Sequence, residues 1–150
     1  MKYNSTYSKL LLCVMMIIGV SSCKKDDTST LQGQIRSNIE SGKWRITKFI
    51  DSGTDETGNF TGYNFDFGTS GSVTATNGVT SYTGTWSITD SNSDDDNLED
   101  LDFNLNFNVT NNFQDLNDDW DFISQSETKI ELIDISGGGG GTDYLTFVKN

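Results

Sequence analysis

The stretch LDFNLNFNV, Leu101 to Val109, alternates without exception between large apolar and polar side chains. Successive side chains of a β-strand point to opposite faces, so this segment has one apolar face and one polar face. The segments 63–67 and 82–89 follow the same pattern. Strands of this kind are half-buried, and they require a fold in which their apolar faces are covered together.

Weaker segments complete a set of eight predicted strands. They cover 43–51, 60–67, 72–76, 82–89, 101–109, 120–125, 129–135 and 144–149. The connections are short and rich in turn residues, which favours antiparallel pairing in sequence order. Eight such strands hide their edges by closing into an up-and-down barrel or by folding into a two-sheet β-sandwich. We predict the all-β, eight-stranded antiparallel barrel, with the β-sandwich as the alternative.

A short N-terminal helix precedes the strands. Leu31, Ile35 and Ile39 recur every four residues and form one apolar stripe. A cap at Ser29 or Thr30 and a stop at Gly42 bound the helix. Because so short a helix is marginal alone, we expect it to pack against one end of the sheet.

The N-terminus has the features of a signal peptide. Lys2 and Lys9 lie in a polar start, 10–20 is almost entirely apolar, and small residues precede Cys23. The apolar run is too short to span a bilayer comfortably. We therefore exclude residues 1–22 from the fold.

The sequence Val20-Ser21-Ser22-Cys23 resembles the lipobox of bacterial lipoproteins. The resemblance implies cleavage before Cys23 and acylation of that cysteine, which anchors the protein to a membrane without a transmembrane helix. The alternative is an ordinary signal-peptidase site that leaves Cys23 as a free thiol. The predicted organisation is a signal peptide at 1–22, a lipidated cysteine and polar tether at 23–30, and a barrel domain at 31–150.

Lys25-Asp26-Asp27 follows this cysteine and resembles the export signal of surface-exposed lipoproteins of the Bacteroidota. The resemblance implies an outer-membrane protein that is displayed on the cell surface. The alternative is that these residues are only a solvated tether.

Charge and composition exclude several functions. The chain has 10 Lys and Arg against 22 Asp and Glu, a net charge of -12 at pH 7. Nucleic-acid binding requires basic clusters that this chain lacks. The sequence contains no histidine, and Cys13 leaves with the leader, so His- and Cys-based catalysis is excluded. We predict a protein that is not an enzyme.

Gly42-Lys43-Trp44, at the start of the first strand and just after the helix, resembles the Gly-x-Trp signature of lipocalins and lipocalin-like lipoprotein domains. The resemblance implies that Trp44 lies on the barrel floor and is crossed by a basic side chain from the last strand. Lys149 is near the matching position, where lipocalins usually have arginine.

Aromatic side chains on the apolar faces of the strands form the predicted ligand site. The set comprises Tyr63, Phe65, Tyr82, Trp86, Phe103 and Phe107. An eight-stranded barrel is just wide enough to be filled by its own side chains or to hold one small ligand. Both outcomes stay open at this stage, with the tyrosine hydroxyls and the Trp86 indole as polar contacts for a ligand.

The acidic run DSNSDDDNLEDLD, Asp90 to Asp102, is the candidate for a calcium site. Calcium prefers carboxylate and carbonyl oxygens gathered on a loop. The predicted ligands are Asp94, Asp96 and Asp100, although the spacing is not that of an EF-hand. The alternative is a solvated acidic loop, and no other cofactor is expected.

Two functions follow from these features. The first is a monomeric, membrane-anchored lipoprotein that binds a small apolar or glycan ligand in its barrel. The alternative is a protein-interaction or structural surface lipoprotein with a filled barrel and no small-molecule ligand.

Overall fold

Residues 30–91, 97–136 and 141–150 are described by the structure, a computed structural model. The predicted leader, Cys23 and the predicted tether up to residue 29 lie outside these residues. Within the described ranges, no helix is both long enough and apolar enough to cross a membrane.

The alternating segments form one antiparallel sheet that closes on itself. The strands are β1 Lys43–Asp51, β2 Thr54–Asp55, β3 Asn64–Phe67, β4 Ser72–Thr76, β5 Ser81–Asp90, β6 Leu101–Phe107, β7 Asp118–Gln125, β8 Lys129–Ser136 and β9 Gly141–Lys149. Their order is β2-β1-β3-β4-β5-β6-β7-β8-β9, and β1 also pairs with β9. The two-residue strand β2 pairs only with the last two residues of β1 and does not form part of the closed wall. The described wall is therefore an eight-stranded barrel. The predicted up-and-down barrel is confirmed, and the chain does not form the sandwich.

The helix α1 closes one end of this barrel, which we call the helix end. It spans Leu31–Glu40, and Thr30 caps it by accepting a hydrogen bond from the Gly33 amide at 3.1 Å. Ile35 and Ile39 are completely buried. The predicted stripe and cap are thus confirmed, and the helix is stable because its apolar face packs into the barrel.

Trp44 and Lys149 join the helix to the first and last strands. The Trp44 indole is buried and its Nε1 donates to the Ile39 carbonyl at 2.8 Å. The Lys149 ammonium lies 4.7 Å from the centre of the Trp44 ring and donates to the Asn38 carbonyl, the Asn38 Oδ1 and the Ser41 Oγ at 3.0–3.1 Å. The last turn of α1 has no basic residue of its own. Lys149 therefore supplies the positive charge that the carboxyl end of a helix favours.

The opposite end, which we call the turn end, is closed by two 3-10 turns, Thr57–Phe60 and Asn112–Leu116. They bury Phe60, Phe113 and Leu116. The segment 60–63 was predicted to begin a strand, and this boundary was wrong. The turn that ends at Phe60 and the positive φ of 84° at Gly62 delay β3 until Asn64.

The wall is least continuous between β1 and β3. These strands pair only at Lys43 with Asp66 and at Trp44 with Phe65. Further along β1, the Thr57 side chain occupies the place of a pairing strand, because its Oγ1 accepts a hydrogen bond from the Phe49 amide at 2.8 Å. Along most of this seam, side-chain contacts and one main-chain bond, from the Glu56 amide to the Phe49 carbonyl at 2.9 Å, therefore replace strand pairing.

Replacing Lys149 by Met tests the contacts between the last strand and α1 at the helix end. Met keeps a long apolar side chain over Trp44 but removes three hydrogen bonds from a charged donor, so we expect the free energy of unfolding to fall by about 2 kcal/mol. Lys129→Met is the control, since Lys129 makes an exposed ion pair with Glu131 that contributes about 0–1 kcal/mol. Urea denaturation measures both variants, and equal losses would contradict this role of Lys149.

Candidate functional site

The centre of the barrel is occupied by three phenylalanine rings. Phe67 on β3 lies 5.7 Å from Phe103 on β6 and 5.6 Å from Phe147 on β9, and Phe103 lies 6.4 Å from Phe147, all measured between ring centres. The three strands are spread around the wall. The rings therefore meet across the width of the barrel and fill it at this level.

Trp86 extends this central cluster towards the helix end. Its ring lies 5.4 Å from Phe67 and 5.9 Å from Phe103. Its Nε1 donates to the Gly68 carbonyl at 3.0 Å, so the indole already has a hydrogen-bond partner. Of the predicted ligand-site residues, Trp86 and Phe103 therefore lie together in the central cluster.

The other four predicted residues surround Phe113 at the turn end. The Phe113 ring lies 4.5–6.0 Å, between ring centres, from the rings of Phe60, Tyr63, Phe65, Tyr82 and Phe107. Tyr63 and Tyr82 are half-buried at the rim. The structure thus brings Tyr63, Phe65, Tyr82 and Phe107 together, but around a side chain of the protein itself.

Sequence reasoning missed Phe113 because it treated the segment after β6 as a loop. The local signal was present in NNFQDL. Phe113 and Leu116 are three residues apart, and Asn111 caps the turn by accepting from the Phe113 amide at 3.1 Å. The apolar spacing and the cap together predict a short turn with one buried face.

A groove of about 770 Å³, with polar and apolar surface in similar amounts, lies on the outside of the barrel. It is lined by outward side chains of β5 and β6, by the start of β7, by the turn between β3 and β4, and by one residue of α1. The lining includes Arg36, Thr85, Ser87, Asn104, Asn106 and Asp119. We call this feature the outer groove.

Carboxylates concentrate on β6 and β7 beside the outer groove. Burial raises the pKa of Asp118 to about 6; the Asp119 amide, donating to its Oδ1, opposes this shift, and the nearby Asp134 and Asp119 add to it. Burial, followed by the charge of Asp121, also raises the pKa of Asp102. Both pKa values are raised first by burial and then by the negative charges of neighbouring carboxylates.

The predicted calcium site lies mostly beyond what the structure describes. Asp94 and Asp96 are outside the described residues, and Asp100 ends the 3-10 turn Leu98–Asp100. Within the described ranges, no three acidic or thiol side chains are grouped to hold a metal ion. Calcium binding through Asp94, Asp96 and Asp100 stays a prediction.

Comparison with known proteins places the chain in no characterised family. No family model matches it, and no curated protein matches it. Among solved structures it is similar to one described as the crystal structure of a DUF4847 family protein from Bacteroides vulgatus ATCC 8482. That similarity has 17% sequence identity and a TM-score of 0.48, and it covers 77% of this chain and 97% of the other.

Replacing Phe113 tests whether the turn end is part of the core. Phe113→Ala removes a buried ring, so we expect the free energy of unfolding to fall by about 3–5 kcal/mol, and Phe113→Leu to lose less. Ile123→Ala is the control, because Ile123 is 50% exposed on β7. Urea denaturation measures all three, and a Phe113→Ala loss as small as that of the control would show that the ring does not close the barrel.

Asp118→Asn tests the raised pKa. A carboxyl whose pKa is higher in the folded protein binds its proton more tightly there, so its contribution to stability is present at acidic pH and is lost as the pH rises from about 4 to 6. Asn stays neutral and still accepts from the Asp119 amide. We expect a higher Tm than that of the natural protein at pH 7.5 and little difference at pH 4.

Asp115→Asn is the matched control for this test, because it removes one negative charge from an exposed position in the adjacent turn. Thermal unfolding at the two pH values gives the result. If both variants gain the same Tm at pH 7.5, relief of general repulsion explains the gain and the environment of Asp118 does not.

Proposed function

We propose that this protein is a lipid-anchored, surface-displayed module whose lipocalin-like barrel is a filled scaffold, and that it binds its partner with the outside of the barrel. Cys23 carries the anchor, and Lys25-Asp26-Asp27 directs display at the cell surface. The protein has no catalytic role in this proposal.

The filled interior is the observation that favours a ligand site on the outside of the barrel over one inside it. Phe67, Phe103 and Phe147 occupy the centre, and Phe113 occupies the turn end. An enclosed ligand would have to displace rings that already contact one another at packing distance. The outer groove requires no such rearrangement.

The position of the helix supports the anchoring geometry. Thr30, the last residue of the predicted tether, caps α1 at the helix end. Seven residues, Cys23 to Ser29, lie between that cap and the membrane, with a reach of about 3.3–3.6 Å per residue. A tether of this reach would keep the helix end near the membrane, while the outer groove runs along the side of the barrel.

A ligand inside the barrel is the second candidate, and the rim tyrosines favour it. Tyr63 and Tyr82 are half-buried at the turn end, and their rings lie 5.0 Å and 4.5 Å from the Phe113 ring. A small apolar or glycan ligand could enter only if the Asn112–Leu116 turn moved. Native mass spectrometry of the purified protein distinguishes the two candidates, because a retained ligand of defined mass favours the interior site.

Cys23→Ala and a triple Ala replacement of Lys25-Asp26-Asp27 test the anchor and the display separately. We expect the natural protein to have the mass of the chain from Cys23 plus fatty acyl groups, and Cys23→Ala to lose these groups and the membrane association. We expect the triple variant to stay acylated but to become protected from protease added to intact cells. An unacylated natural protein would overturn the proposal, as would equal protease access in both forms.

A further inference from the structure

The outer groove contains polar side chains that the fold does not use. Within the described parts of the chain, Thr85, Ser87 and Asn106 line the groove without any side-chain hydrogen bond. Asn117, at the groove's edge, differs from them because its amide group binds both the amide and the carbonyl of Phe107. The groove thus offers hydroxyl and amide groups, which both donate and accept hydrogen bonds.

Arg36 adds a positioned planar donor at the helix end of the groove. Its guanidinium carbon lies 4.9 Å from the centre of the Trp86 ring, and one nitrogen is 3.4 Å from Glu40. A guanidinium has five N–H donors in a fixed plane. Stacking on a buried indole orders this plane, and most of its donors remain available for a ligand.

The main chain beneath the groove offers little to a bound peptide strand. β5 pairs with β4 on one side and with β6 on the other, and β6 pairs with β7 over Asp102–Leu105. Beyond that pairing, Asn117 satisfies the main chain of Phe107. Recognition by strand addition requires a free strand edge. A ligand of the outer groove must therefore be held by side chains.

The charges of the groove disfavour an anionic ligand. Arg36 lies at one end, and Asp118 and Asp119 lie at the start of β7. An anionic chain would be repelled by these carboxylates and by the overall charge of -12, whereas a cationic chain would be repelled only by Arg36, which already faces Glu40. The choice of a neutral ligand rests on the hydroxyl and amide side chains of the groove, because a neutral chain of hydroxyl groups can bond to them, donate to the carboxylates and accept from the guanidinium.

We propose that the outer groove binds a neutral glycan chain through Arg36, Thr85, Ser87 and Asn106. This inference rests on the proposed function and deepens it by naming the ligand class. The volume of about 770 Å³ suits several sugar rings, and each carries hydroxyl groups that match the amide, hydroxyl and guanidinium groups along the groove.

Two double variants test the site. Thr85 pairs with Asn106 in the sheet and both line the groove, whereas the exposed Thr83, on β5, and Asn108, just past the end of β6, do not line it. Thr85→Ala with Asn106→Ala removes two groove contacts, and Thr83→Ala with Asn108→Ala removes the same chemical groups beside it. All four residues are on the surface or half-buried rim, so both doubles are expected to fold.

Isothermal titration of the detergent-solubilised full-length protein with maltohexaose, cellohexaose, mannohexaose and xylohexaose measures binding. Hexalysine is the charged comparison. We expect at least one hexasaccharide to bind, the groove double variant to bind it about tenfold more weakly, and the neighbouring double to bind as the natural protein does. Arg36→Lys, which keeps the charge but loses the plane, is expected to weaken binding as well.

The proposal is overturned if none of the four hexasaccharides binds, if both double variants weaken binding equally, or if hexalysine binds more tightly than every sugar. None of these results bears on the lipid anchor, which the mass of the chain from Cys23 tests separately. Sugar binding can be measured whether or not Cys23 is acylated, because detergent keeps both forms of the protein in solution.

Discussion

Pairing of the first strand with the last holds this fold together. β1 and β9 pair from Trp44 with Lys149 to Ile50 with Tyr144 and so remove the two edges that an open sheet would expose. The same two strands supply Trp44 and Lys149, which bind the end of α1. Closure of the wall and closure of the helix end therefore depend on one set of contacts between distant parts of the sequence.

Closure also fills the inside of the barrel, which favours the proposed site on the outside. Once eight strands form a ring, alternation sends every second side chain inward, and in this chain most of those side chains are aromatic. Phe67, Phe103 and Phe147 then meet in the centre. The outward positions carry threonine, serine and asparagine on β5 and β6, where they face the solvent and have freedom to contact a ligand.

The accuracy of the predicted strand bounds did not follow the strictness of the alternation. The observed β1 and β4 match their predicted bounds, and β6 begins at Leu101 as predicted. β6 ends at Phe107, two residues early, because the Asn117 side chain takes the place of a neighbouring strand. Such a contact depends on tertiary structure, so alternation alone did not reveal it.

The candidate site was harder to predict than the fold. The six aromatic residues were correctly placed on apolar faces, but Phe113, which occupies the space between four of them, belongs to a turn without strand periodicity. The outer groove depends on register across β5, β6 and β7 and on the place where α1 sets Arg36. One sequence read alone does not contain that register.

Because β1 and β3 pair over few residues, the wall of the barrel is not equally resistant to opening at every pair of strands. Two residue pairs join these strands, whereas β8 and β9 are joined over eight. Local opening begins where main-chain hydrogen bonds are fewest. We therefore expect the amides of this seam to exchange with solvent sooner than the amides between β8 and β9.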